Sequence, residues 1–199
     1  MSYPIPKQQA IAEIEIKKSR FIAYASHISS REAGMTWLDE LKSEFPDARH
    51  HCWAYQLGNP NCATNAGMGD DGEPSGTAGK PILNVLQHKG VGDIMIVVVR
   101  YFGGIKLGAG GLTRAYGQAA QAVMEVLKTE QEVPKTEVHI RCEFSQEQPV
   151  RHWLSLVEGE ILNVDYQQQV LMSISLPDDN VEGFSATLTA NKCHFSIVE

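Results

Sequence analysis

The chain has 199 residues, 43% hydrophobic and 21% charged, with 17 Lys and Arg against 24 Asp and Glu and a formal net charge of −7. That is enough apolar material for a core in each of two domains. The acidic balance excludes a general polyanion binder, which needs clustered Lys and Arg to release counterions. The longest aliphatic run, Ile94 to Val99, is far too short to span a bilayer, and Met1-Ser2-Tyr3-Pro4 opens no charged-then-apolar leader, so a cytoplasmic location without membrane contact is expected. Cys52, Cys62, Cys142 and Cys193 are scattered with no Cys-x-x-Cys pair, which suits reduced thiols better than a disulfide framework or a zinc site. Neither a metal nor a cofactor is expected.

In chain order, alternation over Ala10-Ile11-Ala12-Glu13-Ile14-Glu15-Ile16 and a second strand from Arg20 to Ser29 predict a hairpin. Ser29 stands three residues before Glu32, the spacing of a capping box. Ala33, Trp37, Leu38, Leu41 and Phe45 then form a helical stripe that Pro46 ends, with Trp37 read as core. A third strand is expected from about Arg49 to Leu57. On it His50 and Cys52 face one way and His51 the other, so the three cannot chelate together, and structural histidines are preferred over a Cys–His nucleophile pair. An acidic glycine loop follows, then a helix from about Thr77 to His88 and a buried strand from Asp93 to Tyr101.

A further helix shows Leu112, Tyr116, Ala119, Val123 and Leu127 on one face, and Val133-Pro134-Lys135 reads as a linker. Domains are therefore expected over residues 1–132 and 136–199. The second has the order strand, helix (about Gln148 to Glu158), two strands around Val164 and Met172, helix (about Asn180 to Ala190) and strand, with Val138, Ile140, Cys142 and Phe144 inward. This βαββαβ order is ferredoxin-like. Helices cover one face of such a sheet and leave the other to a protein partner. Residues 1–134 carry a net −1 and residues 135–199 a net −6, so any nucleic-acid contact must be local to the first domain.

The functional signal lies in Arg100-Tyr101-Phe102-Gly103-Gly104-Ile105-Lys106-Leu107-Gly108-Ala109-Gly110-Gly111-Leu112-Thr113-Arg114, a strand running through a cationic glycine loop into a helix. Glycines let backbone N–H groups approach a ligand, and a helix N-terminus favours anions. The spacing is neither a Walker loop nor a dinucleotide fingerprint. Arg100, Tyr101, Gly103, Gly104, Lys106, Gly108, Gly110, Gly111 and Arg114 are the candidate RNA- or phosphate-binding residues, with one of Tyr101 and Phe102 exposed for stacking on a base. The segment Asp70-Asp71-Gly72-Glu73-Pro74-Ser75-Gly76-Thr77-Ala78-Gly79-Lys80 supplies a second candidate loop through Asp70, Asp71, Glu73, Ser75, Thr77 and Lys80. Its carboxylates read either as a solvated turn or as acid–base or magnesium chemistry. Opposite charges predict that the two loops adjoin.

These two blocks, with Lys18-Ser19-Arg20-Phe21-Ile22 and Ala48-Arg49-His50-His51-Cys52-Trp53-Ala54-Tyr55, resemble the IMPACT family, above all its bacterial members. The resemblance is strong over about residues 1–132 and weaker beyond. It implies an α+β protein of two domains: an N-terminal βαβ-type domain resembling domain IV of elongation factor G, also similar to a small-subunit ribosomal protein domain and the GHMP kinases, and the small C-terminal domain. It also implies a translation-associated regulatory module with RNA or the ribosome as partner and no catalytic residue. Eukaryotic relatives act through a kinase-activating partner by an extra N-terminal domain, for which this chain has no room beside its two. The alternative is a small-molecule phosphotransferase or hydrolase using the same loop with Asp70, Asp71 and Glu73.

Overall fold

A computed structural model describes residues 2–198. The chain divides into two compact units, Tyr3–Glu132 and the chain from Val133 on.

The first unit is built on a five-stranded antiparallel sheet of β2 (Ala10–Ile16), β3 (Ser19–His27), β4 (His50–Leu57), β5 (Asn65–Gly69) and β6 (Ile94–Tyr101), in the order β2-β3-β6-β4-β5. Strands β3 and β4 both run antiparallel to β6 and hence parallel to each other. The helix α1 (Arg31–Glu44) that joins them therefore makes a split βαβ unit. Helices α2 (Gly79–Lys89) and α3 (Ala109–Val126) pack with Phe21, Cys52, Ala54, Ile96 and Val98 on one face of the sheet. Helix α1 covers Ile22, Tyr24, Tyr55, Val97 and Val99 on the other. Cover on both faces explains why β6 reads as an unbroken apolar run rather than an alternation, since Ile94 through Val99 are all inaccessible to solvent.

Several local expectations shift. The cap of α1 is Ser30, whose Oγ accepts from Ala33 N–H, so Glu32 stands one place too early to close a capping box. Trp37 is half-buried at the margin of the α1 cluster. Strands β1 (Tyr3–Pro6) and β7 (Thr129–Glu132) pair as a separate ribbon; Pro4 and Pro6 in one and four polar residues in the other carry no strand-like alternation. Strand β5 contains Gly67 and Gly69, whose missing side chains make room for the Tyr55 and Trp53 rings of β4, and such a segment reads as loop.

The second unit follows β8 (Lys135–Cys142), α4 (Glu147–Leu156), β9 (Glu160–Tyr166), β10 (Val170–Pro177), α5 (Asp178–Ala190) and β11 (His194–Ile197) in a sheet ordered β11-β8-β10-β9, all antiparallel. This is the ferredoxin-like arrangement. Both helices pack Val150, Leu154, Phe184 and Leu188 on Val138, Ile140, Cys142, Met172 and Ile174. Phe144 is not part of this core. Strand β8 ends at Cys142 and a single 3-10 turn begins at Phe144, which breaks the alternation and leaves its ring exposed and stacked on Tyr166 at 6.4 Å.

Candidate functional site

The acidic loop is ordered by its own backbone. Asp70 accepts from Gly76 N–H (2.8 Å), Ala78 N–H (3.0 Å) and Gly79 N–H (2.8 Å), which ties the loop to the start of α2. Burial works to raise its pKa, yet these three donors together bring it below the ordinary aspartate value. Asp71 accepts from His51 N–H (2.7 Å) and pairs with Lys42 at 3.2 Å. Thr77 is buried and donates to Pro74 C=O at 2.7 Å, closing a turn, while Ser75 and Lys80 face solvent.

Glu73 turns inward. Its carboxylate, 4% exposed, is ion-paired with Arg100 and accepts from Tyr116 O–H at 2.8 Å. Below them Cys52 Sγ lies 3.3 Å from Tyr116 Oη and 3.0 Å from Asp70 C=O. Burial raises the pKa of the Cys52 thiol, and burial with the neighbouring Cys52 and Glu73 raises that of the Tyr116 hydroxyl. Both shifts favour the protonated form, the thiol rather than the thiolate at Cys52. His50 points Nδ1 at Asp71 C=O (2.7 Å), which makes that nitrogen the donor, and holds Nε2 3.9 Å from Glu73.

Arg100 is thus not the exposed phosphate ligand expected of it. It is 5% exposed, a structural partner of Glu73, with its guanidinium 5.4 Å from the Phe21 ring and 5.8 Å from that of Phe102. A buried charge on a central strand needs a carboxylate partner, and the one it finds lies 27 residues away in the sequence. Tyr101 is also displaced from the expected site: alternation turns it to the α1 face, where its ring lies 5.6 Å from the Arg20 guanidinium. Phe102 is the exposed member of the pair.

The glycine loop does meet the acidic loop. A cleft of about 400 Å³ is lined by Gly72, Glu73 and Pro74 from one and by Phe102, Lys106, Gly108 and Ala109 from the other, with Arg49, His50 and Arg100 at its wall. Gly103 has a structural reason for its identity, because a Cβ there would fall 1.9 Å from Lys18 C=O. Gly108, at φ +73°, is the cap residue of α3 and brings no side-chain cap. Leu112 N–H already bonds to Gly108 C=O, whereas no bond occupies the N–H groups of Ala109, Gly110 and Gly111 among the described residues. Gly104 is exposed on the loop. Arg114, exposed on α3, lines a different hollow with Lys17, Leu107 and Gln118. Arg49 was the residue missed. It adjoins a histidine pair on a strand, and its N–H bond to Arg100 C=O (3.0 Å) and its guanidinium 5.8 Å from the Phe102 ring bring it to the cleft.

No helix among the described residues is long and apolar enough to cross a membrane.

Comparison with known proteins agrees with this organisation. The model described as Impact N-terminal domain matches residues 17–124, and one described as a domain of unknown function matches residues 140–191. The chain is 44% identical over 187 residues to IMPACT family member YigZ of Escherichia coli, covering 94% of this chain and 92% of that protein. It is 32% identical over 109 residues to the Protein IMPACT homolog of Saccharomyces cerevisiae, covering 53% and 42%. A crystal structure of a hypothetical protein superposes with a TM-score of 0.74 at 41% identity, over 100% of this chain and 98% of the other. With both family models in order along one chain and near full-length identity to a curated member, the chain belongs to the IMPACT family.

Proposed function

We propose that the protein is a translation-associated regulatory module that contacts RNA, free or on the ribosome, through the cleft between its two N-terminal loops and catalyses no reaction. The observation that carries this reading is the cleft itself: exposed Lys106 and Arg49, an exposed aromatic ring at Phe102 and an uncapped helix N-terminus converge on one hollow in a protein whose overall charge is negative. Cations and backbone N–H groups suit phosphate, and a guanidinium-flanked ring suits an unstacked base. The fold implied by the family supports the same reading. In it, the open face of the C-terminal sheet contacts a protein partner.

The phosphotransferase or hydrolase alternative gains no support from the carboxylates. Asp70 is bound to three backbone N–H groups, Asp71 to His51 N–H and Lys42, and Glu73 to Arg100 and Tyr116. All three serve the loop's own geometry.

The test is a salt titration of binding to single-stranded RNA, with ribosome cosedimentation alongside, for wild type and the Arg49→Glu, Lys106→Glu double variant. Loss of two phosphate contacts lowers the slope of log K against log salt by about 1.4. An unchanged slope in a folded double variant overturns the proposal.

A further inference from the structure

We infer that the cleft seats a phosphomonoester, the terminal phosphate of a nucleotide, rather than a phosphodiester within a strand; the inference rests on the RNA reading and narrows it. Donors outnumber what an internal phosphate can use. Among the free N–H groups that open the 18-residue helix α3, the one on Ala109 belongs to a residue lining the cleft, where the ammonium of Lys106 and the guanidinium of Arg49 also stand. A phosphodiester offers two unbridged oxygens and one negative charge. A phosphomonoester offers three oxygens and a charge near −2.

Charge at the cleft agrees with the dianion, since Arg49, Arg100 and Lys106 face the single carboxylate of Glu73. A second observation is independent of the helix terminus. The Arg100 side chain, 6% exposed, gives Nη1 to Glu73 but leaves the buried Nε without a partner among the described residues, at the wall of the cleft. Buried donors are ordinarily satisfied, and an orphaned one points to a missing acceptor. Phe102 then supplies a stacking surface for the attached base, with the Arg49 guanidinium 5.8 Å from its ring. A volume of about 400 Å³ lies in the range of small-ligand pockets. The shared chemistry is a terminal phosphate on a nucleoside, supplied either by the 5′ end of an RNA or by a free nucleoside monophosphate.

The experiment measures binding of the full chain to one short RNA bearing a 5′-phosphate, to the same RNA with a 5′-hydroxyl, and to adenosine monophosphate. The variants are Lys106→Ala, Ala109→Pro and Arg114→Ala, each checked by circular dichroism. Proline suits the first turn of a helix and removes only one free N–H. The 5′-phosphate strengthens RNA binding by about tenfold or more, as expected for several hydrogen bonds to a charged group. Lys106→Ala and Ala109→Pro lose that preference, and Arg114→Ala, outside the cleft, keeps it. Equal binding of both RNAs overturns the inference and leaves the RNA reading standing. Binding of the monophosphate with no RNA binding keeps the phosphate seat and removes the RNA reading. Binding of none of the three removes both, and a preference that survives in folded Lys106→Ala and Ala109→Pro places the phosphate elsewhere and overturns the inference.

Discussion

The two glycine-rich loops of the N-terminal unit share a cleft but treat their charges in opposite ways. In the 70–80 loop each acidic side chain is consumed by the fold: Asp70 by three N–H groups, Asp71 by His51 and Lys42, Glu73 by Arg100 and Tyr116. In the 102–111 loop Lys106 stays in solvent and the helix it leads into starts without a side-chain cap. Charge density in a loop therefore says little about function until its partners are known. The acidic loop is scaffold, and the glycine loop presents its donors.

The sharpest test of this contrast is Glu73→Gln, which leaves Arg100 buried without its counter-charge. Removing one partner of a buried pair costs about 3–5 kcal/mol, and chemical denaturation should show a loss of that size. A loss below about 1 kcal/mol would mean that the pair is not structural. Gly103→Ala comes next. Its Cβ meets the Lys18 carbonyl, a backbone neighbour that cannot rotate away, and overpacking of this kind costs about 1–3 kcal/mol, read as a lowered melting temperature.

Asp70→Asn keeps one acceptor oxygen but sets an amide NH2 against an N–H donor on the other side of the carboxylate; it should cost about 1–3 kcal/mol at neutral pH, the range for leaving a buried donor unsatisfied, and should also flatten the acid limb of stability. The folded pKa of Asp70 lies below its ordinary value, so its contribution is complete above about pH 4 and is lost as pH falls through the folded pKa. Denaturation midpoints between pH 2 and 7 check the sign, and a wild-type curve no steeper than the variant's would contradict it. Smallest in stability is Lys106→Ala, expected within about 0.5 kcal/mol of wild type because the side chain is exposed. Under the proposed function its effect falls on binding.

Much of the fold was legible because periodicity reports burial directly. The alternation of Val138, Ile140 and Cys142, the apolar run of β6 and the α3 stripe through Leu112, Tyr116, Ala119 and Val123 all fall in the observed cores. Strands β1, β5 and β7 escaped because prolines, glycines and wholly polar residues carry no such period. The site was half legible. The opposite charges of the two loops predicted that they adjoin, and they share a cleft, but one-dimensional alternation could not tell an exposed Arg100 from a buried one.

Composition, periodicity and motif spacing by themselves determined two α+β units and the element order of the second, because each depends on neighbours within a few residues. Only the tertiary structure decided that Glu73 neutralises Arg100, that Tyr101 turns away while Phe102 faces the cleft, and that Arg49 joins Lys106 there. Those outcomes depend on residues brought together from β4, β6 and α3 and from the loops beside them. Across such sequence distances, packing and the need to pair a buried charge choose the partners, and no local pattern records the choice.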